Sequence, residues 1–182
     1  SGEITLLQFA SCSFDENTAW SDIAKDIQSI VISECISCIR FNTFYCCKEI
    51  THITIPSSVT AIESMAFGFC FNLRSITIPD SVNEIACSAF YRCLRMTRVN
   101  IPNGVKVIRY NAFYNCKALE SVVIPKSVKS IEMSAFSGCC SLVSVTIPET
   151  VESIGDFAFA GCSSLTSLSI PGPVKIILEY TF

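Results

Sequence analysis

The chain has 182 residues, of which half are apolar and only 16% are charged, so it can fold around a large core. The net charge is −3 and the Lys and Arg residues are scattered, which argues against nucleic acid as a partner. No apolar run approaches the roughly 18 residues that a membrane-spanning helix needs, so no transmembrane segment is predicted.

One pattern of 23 residues recurs along nearly the whole chain. Pro, Phe and Cys each keep this spacing independently, and fixed periods of about 20 to 50 residues are typical of solenoids. The unit reads P-x-x-V-x-x-I-x-x-x-A-F-x-x-C-x-x-L-x-x-I-x-I. Its landmarks are Pro56, Pro79, Pro102, Pro125, Pro148 and Pro171, then Phe44, Phe67, Phe90, Phe113, Phe136, Phe159 and Phe182, and Cys47, Cys70, Cys93, Cys116, Cys139 and Cys162.

Residues 1–26 are predicted to form an N-terminal capping segment that is continuous with the solenoid. Ile4, Leu7 and Phe9 stand one period before the first strand of the regular repeats, but the Pro and Phe-x-x-Cys landmarks are missing between them. Terminal copies of a solenoid must cover an exposed core, so an atypical sequence is expected there. We predict that Trp20, the only Trp, covers the open end, with a Trp in a binding site as the alternative.

Each copy over residues 27–182 is predicted to contain two short strands. In the segment 73–78, Ile76 and Ile78 alternate with small polar residues, which is the period-two pattern of a strand with one buried face. Pro79 should end this strand because it has no amide proton. The Val and Ile three residues apart after the proline then predict a second extended segment, and equivalent strands should pair in parallel about 4.8 Å apart.

The Ala-Phe-x-x-Cys segment closes each coil, and it leaves room only for a tight turn or a short helical or 3-10 turn. We therefore predict a single domain, a repeat solenoid that is β-rich and has 23-residue coils. Because one coil cannot bury its own apolar side, stacking should supply the stability.

The unit resembles the BspA-type leucine-rich repeat, also called the Treponema pallidum type, whose phrase is I-P-x-x-V-x-x-I-G-x-x-A-F-x-x-C-x-x-L. The resemblance implies a leucine-rich-repeat right-handed superhelix. The glycine of this phrase is present only as Gly155, so the other copies must turn there without a positive φ. The Asn ladder of better-known leucine-rich repeats is replaced by hydroxyls that can bond to neighbouring backbone, at Ser58, Ser81, Ser127 and Thr150.

The resemblance also implies a function. It indicates a non-catalytic cell-surface or secreted module that adheres to host or neighbouring-cell surfaces through a protein or glycan partner, without a cofactor. A rigid structural spacer that presents another domain is the alternative that the sequence leaves open. The oligomeric state also stays open, since an exposed edge strand at either end would permit end-to-end association.

The cysteines, twelve in all, invite several interpretations. Six follow the repeat between Phe and Leu, where we predict inert core thiols. Cys35 and Cys38 form the only C-x-x-C, and with a single histidine in the chain a zinc site is not expected. Cys12 and Cys35 are one period apart and would lie in adjacent coils at a separation that suits a disulfide. A Cys12–Cys35 bond is therefore a hypothesis, with two unpaired thiols as the alternative.

Little in the sequence suggests catalysis. His52 is the lone histidine and lies at an outward strand position, so no other imidazole is available for a Ser-His-Asp or Cys-His site. There is also no Gly-rich phosphate loop. Glu63, Glu84, Glu132 and Glu152 would line one side of the solenoid, but Lys and Arg residues interrupt them, which is typical of a solvated face.

The outward residues of the longer strands define a predicted partner-contact face, called here the strand face. It is rich in hydroxyls, nearly neutral and poor in the aromatic and Arg anchors of tight interfaces, so it suits weak multivalent adhesion. Arg98 with Asn100 has the longest hydrogen-bonding reach. The strand face comprises His52, Thr54, Ser75, Thr77, Arg98, Asn100, Ser121, Val123, Ser144 and Thr146, and it continues at Ser167 and Ser169.

Overall fold

A computed structural model of the protein describes residues 2–6 and 27–182, the first of these ranges as backbone only. Within these ranges the chain forms thirteen short strands joined by turns, and no helix is present. The strands are β1 Gly2–Leu6, β2 Ile27–Ile32, β3 Cys38–Ile39, β4 His52–Thr54, β5 Ala61–Ile62, β6 Ser75–Thr77, β7 Glu84–Ile85, β8 Arg98–Val99, β9 Val107–Ile108, β10 Ser121–Val123, β11 Ser130–Ile131, β12 Ser144–Thr146 and β13 Ser153–Ile154.

Two columns of parallel strands form two sides of the solenoid. The long sheet has seven strands in the order β1-β2-β4-β6-β8-β10-β12. Its register follows the repeat, since Ile53 pairs with Ile30 on one side and with Ile76 on the other. The second side holds two three-stranded sheets, β3-β5-β7 and β9-β11-β13. Equal spacing in the sequence therefore becomes alignment in space, and the predicted parallel solenoid is confirmed.

The first strand departs from the predicted frame. Ile4 was expected beside Ile27, one period later, but β1 pairs Ile4 with Ile30 and Leu6 with Ile32, which places it three residues out of register. The segment between β1 and β2 lacks the Pro and Phe landmarks that set the length of the other coils. Without them, nothing in the sequence holds this connection to 23 residues.

The third side of each coil consists of tight turns around the landmark Phe, and the alternative of short helical turns is wrong. Phe67 and Phe69 donate their amides to the carbonyls of Ala89 and Tyr91 in the next coil, at 2.8 and 2.7 Å, while the amide of Gly68 between them bonds within its own coil. Because every second amide here reaches the neighbouring coil, the i→i−4 ladder of a helix cannot form.

Two residues in each regular coil adopt the left-handed backbone conformation, two positions before and two positions after the landmark Phe. In one coil they are Met65, with a φ of 56°, and Phe69, with a φ of 61°. The four copies that lack the glycine equivalent to Gly155 turn at that position without a positive φ, as predicted. Left-handed backbone costs most residues other than Gly and Asn about 1–2 kcal/mol, yet in the described coils only Gly138, Gly161 and three asparagines relieve it.

The core is organised around a column of stacked phenylalanines. From Phe44 to Phe159, neighbouring ring centroids lie 5.2 to 5.5 Å apart with planes within 11° of each other, which is an offset stack. These rings are 0–1% exposed. Phe182 extends the column at 6.2 Å but is 54% exposed. The predicted column of buried phenylalanines is therefore confirmed, with its last member only partly covered.

The predicted ladder of hydroxyls is also present. Each hydroxyl donates to the backbone carbonyl 22 residues earlier, at 2.6 Å for the three serines and at 3.1 Å for the threonine. The donors are Ser58, Ser81, Ser127 and Thr150. Gly104 occupies the equivalent position in the intervening coil, so one rung of this ladder is missing.

The coil that contains Gly104 also marks an interruption of the second side. The gap lies between β7 and β9 and is called here the seam. These two strands belong to different sheets, although all other neighbouring strands of this side pair. The amides of Lys106 and Arg109 make no backbone hydrogen bond across the seam, whereas those of Lys129 and Glu132, one period later, donate to the preceding coil at 2.8 Å. An open groove of about 230 Å³ lies here.

Truncation of a central ring should destabilise the whole stack. We expect Phe113→Ala to lower the free energy of unfolding by about 3–5 kcal/mol, because it removes a buried ring from between two others and leaves a cavity. Urea denaturation followed by circular dichroism measures this loss. Phe41→Ala is the control, since that ring is 61% exposed and should cost little. A loss below about 1 kcal/mol at Phe113 would contradict the packing described.

The seam should be visible in hydrogen exchange. We expect the amides of Lys106 and Arg109 to exchange with solvent at least tenfold faster than those of Lys129 and Glu132, because only the latter pair is hydrogen-bonded to the preceding coil. Exchange resolved residue by residue by NMR compares these matched positions directly. Equal protection of the two pairs would show that the second side is continuous.

Candidate interaction surface

The strand face lies on the outer side of the long sheet, where the sequence placed it. All of its residues from His52 to Thr146 are exposed, as are Ser167 and Ser169, while the residues that alternate with them in the strands are buried. The pattern arises because successive side chains of a strand point to opposite sides. The exposure of the strand face is thus as expected, and its contact with a partner stays a prediction.

The two residues with the longest reach on the strand face differ in availability. Asn100 uses both atoms of its side-chain amide on Ile78, because Oδ1 accepts the Ile78 amide at 3.0 Å and Nδ2 donates to the Ile78 carbonyl at 2.6 Å. Arg98 is exposed and has no ion pair or side-chain hydrogen bond within residues 27–182. Asn100 therefore links two coils, and only Arg98 is available to a partner.

The carboxylates of the predicted row make separate contacts with nearby residues. Glu132 accepts the backbone amide of Tyr110 at 2.9 Å and pairs with Arg109 at 3.2 Å. Lys129 and Glu152 form a second ion pair at 3.5 Å. In the part of the chain that the structure describes, no group of three His, Cys, Asp or Glu side chains could hold a metal ion. His52 contacts the hydroxyl of the adjacent Thr51 at 2.9 Å.

The six cysteines of the repeat form a buried column beside the phenylalanines. Their thiols are covered, as predicted, and five of them also donate to the carbonyl of the landmark Phe one coil earlier, at 3.1 to 3.3 Å. Burial is the largest cause that raises the pKa of the Cys116 thiol, to about 12. Burial is also the largest cause that raises the pKa of the Cys47 thiol to about 12. The donors are Cys70, Cys93, Cys116, Cys139 and Cys162.

The remaining cysteine hypothesis lies partly outside the described residues. Cys12 and Trp20 both lie outside them, so the Cys12–Cys35 disulfide and the cover formed by Trp20 remain predictions. Cys35 is exposed, and its Sγ lies 3.2 Å from the hydroxyl of Ser33. Cys38 is half-buried and donates its thiol to Glu63 at 3.5 Å. Burial first, and then this carboxylate, raise the pKa of the Cys38 thiol.

Sequence reasoning missed a surface on the turn side, called here the aromatic flank. It consists of Tyr45, Phe69, Phe71, Tyr91 and Tyr114, whose neighbouring ring centroids lie 5.0 to 5.9 Å apart. All five rings are exposed or half-buried. The sequence carried one signal for this surface, a tyrosine directly after the landmark Phe in three copies. The two phenylalanines gave no such signal, because neither of their positions in the unit is aromatic in the other copies.

Two strand columns, a turn column and stacked core rings together define a leucine-rich-repeat solenoid. The model of the BspA type leucine rich repeat region matches six copies over residues 9–120 and 106–182, and the chain belongs to this family. Leucine-rich repeats of this kind are in general non-catalytic and serve protein interaction.

Solved structures of bacterial leucine-rich-repeat proteins share the fold. The protein from Eubacterium ventriosum is 28% identical, with a TM-score of 0.75 over 81% of this chain and 40% of that one. The protein from Bacteroides ovatus is 25% identical, with a TM-score of 0.63 over 81% and 44%. The leucine-rich repeat protein of T. pallidum is 29% identical, with a TM-score of 0.62 over 75% and 77%.

The chain thus spans less than half the length of two of these proteins. No curated protein matches it. None of the residues in the described ranges belongs to a helix that could cross a membrane.

The buried thiols make the fold sensitive to alkaline pH. A thiol with the ordinary pKa of 9.0 ionises in the unfolded chain, whereas Cys47 and Cys116 keep their protons in the fold until about pH 12. Between these two values the unfolded state binds fewer protons, so the free energy of unfolding should fall as pH rises. The slope is at most about 1.4 kcal/mol per pH unit for each thiol.

Urea denaturation in reducing buffer, repeated between about pH 8 and pH 11, measures this slope, and Cys116→Ala should make it shallower by the contribution of one thiol. A free energy of unfolding that stays constant over this interval would contradict the burial of the thiol column.

Proposed function

We propose that this chain is the non-catalytic interaction module of a cell-surface or secreted protein, which adheres to a protein or glycan on another surface. The observation that carries the proposal is the strand face, a continuous exposed surface of short polar side chains held on a close-packed core. Membership of the BspA-type family supports the surface location, which is itself part of the proposal.

The chemistry of the strand face favours many weak contacts over one tight one. Hydroxyls stand opposite each other on neighbouring strands at Thr54 and Thr77 and at Ser121 and Ser144, where parallel strands lie about 4.8 Å apart. Each hydroxyl can donate and accept one hydrogen bond in competition with water, so a single contact contributes little. Affinity would then come from several rungs engaged at once, and further from several copies on one cell.

A rigid spacer that presents another domain is the second candidate. It is favoured because the Asn100 side chain is committed to the backbone of Ile78, which leaves Arg98 as the one long side chain available to a partner on an otherwise bland strand face. A spacer needs only a stable stack of coils, and the continuous core supplies that. The two candidates differ in whether the surface binds anything.

An array of extracellular proteins and glycans probed with the purified chain tests the choice. We expect binding that Arg98→Ala weakens about tenfold, because Arg is one of the residue types enriched among those whose truncation costs an interface more than about 1 kcal/mol. Lys106→Ala is the matched control, since Lys106 is an exposed cation on the second side. Binding unchanged by Arg98→Ala would place the contact elsewhere on the solenoid, and no binding at all would favour the spacer.

A further inference from the structure

We propose that the aromatic flank, together with Lys48, Arg92 and Arg95, is a docking site for an acidic peptide segment of a partner protein. The inference rests on the proposed interaction role and deepens it, because it names a partner chemistry. It also locates a contact on a side of the solenoid different from the strand face.

The flank is one connected set of side chains across four coils. Phe69 lies at its centre, 5.4 Å from Tyr45, 5.9 Å from Phe71 and 5.2 Å from Tyr91. Tyr91 then stacks on Tyr114 at 5.0 Å with planes 7° apart. Because the core column beside them sets the spacing of the coils, these rings are held in place before any partner arrives, which lowers the entropic cost of binding.

Cations border the rings and are not engaged in ion pairs with other described residues. The Lys48 Nζ lies 5.9 Å from the Phe71 ring centre, and the Arg92 guanidinium lies 5.7 Å from that of Phe69. Arg95 is exposed and lies beside Phe71, since its amide donates to the Phe71 carbonyl at 3.2 Å. Within residues 27–182, none of these three cations forms an ion pair. The flank is thus complementary to negative charge, although the chain as a whole carries −3.

Arg92 itself is held in an unfavourable state. Its backbone is left-handed, with a φ of 58°, at a position that Gly138 and Gly161 fill in later coils. Its Nε is buried without a hydrogen-bond partner and is the only such side-chain nitrogen or oxygen in the described part of the chain. Phe69 bears the same backbone strain at the equivalent position, with a φ of 61°. Because this backbone conformation recurs at the same position of every regular coil, only the unsatisfied donor is particular to Arg92, and such a donor in a folded protein points to a function for the side chain.

The chemistry of the flank favours a peptide over a sugar chain. Tyr91 lies between two other rings of the flank, so its faces are largely covered and its edge and hydroxyl remain. A sugar stacks on an open ring face, whereas a peptide side chain can pack against ring edges. Tyr and Arg are the residues that most often anchor protein–protein contacts. Arg92 and Arg95 can each bind a carboxylate through two parallel hydrogen bonds.

Selection of random twelve-residue peptides displayed on phage against the wild-type chain tests the proposal. We expect enriched peptides to carry Asp or Glu next to an aromatic or aliphatic residue, and to bind more weakly as salt is raised. Their affinity for the double variant Arg92→Gln with Arg95→Gln should be at least tenfold lower than for the wild-type chain. The matched control is Arg98→Gln with Val123→Ser on the strand face, which should leave peptide binding unchanged. Thermal melts of both double variants verify that they fold.

Peptides without acidic residues, peptides indifferent to the flank variant, or a selection that enriches nothing would each overturn the proposal. Peptides that depend on the strand-face variant instead would overturn the flank and leave the proposed function intact. Heparin tested in parallel identifies a glycan site, and binding of heparin through Arg92 and Arg95 without any acidic peptide would also overturn the inference. Absence of binding to any protein or glycan of the array is a separate result, and only that result counts against the proposed function.

Discussion

Stacking of one coil on the next in register is the interaction on which the rest of this structure depends. A coil of 23 residues has no interior of its own, so its Phe, Cys and Ile side chains are buried only when the neighbouring coil covers them. Except at the seam, where the second side does not pair, the contact is made three times around each regular coil, by strand pairing on two sides and by amides of the turn side that bond to the next coil. Stability is therefore a property of pairs of coils.

Most of the architecture was predictable because the constraint is repeated. Phe, Pro and Cys at one spacing leave few alternatives to aligned columns, so the parallel strands, the stacked rings, the buried thiols and the hydroxyl ladder all follow from the sequence. The turn side was less predictable, because its geometry depends on left-handed residues such as Met65 and Phe69 that no propensity would place there. Alternate amides directed to the next coil exclude the helical turns that local sequence allows.

The departures from the repeat were the hardest features to predict. The register of β1 changes where the Pro and Phe landmarks are absent, and the seam between β7 and β9 lies in the coil where Gly104 replaces a ladder hydroxyl. An absent side chain says only that the usual contact is missing. The aromatic flank was missed for a different reason. Phe69 is a neighbour of Tyr45 and Tyr91 in space because of the stack, while in sequence Phe69 and Phe71 occupy positions of the unit different from that of the tyrosines. The strand face was easier to predict, because strand alternation alone decides which side chains point outward.

The common spacing of the columns also bears on how such a chain can change length. A whole copy of the unit can be gained or lost by recombination between similar copies, and the flanking Phe, Cys and Ser residues still meet equivalent partners across the new junction. An insertion of any other size leaves the later landmarks in register with one another, but the extra residues have to leave the coil as a surface loop or interrupt the stack at that point. The solenoid can therefore lengthen or shorten by whole coils. Each coil gained or lost changes the distance of surface residues from the ends, while the packing of the interior stays the same.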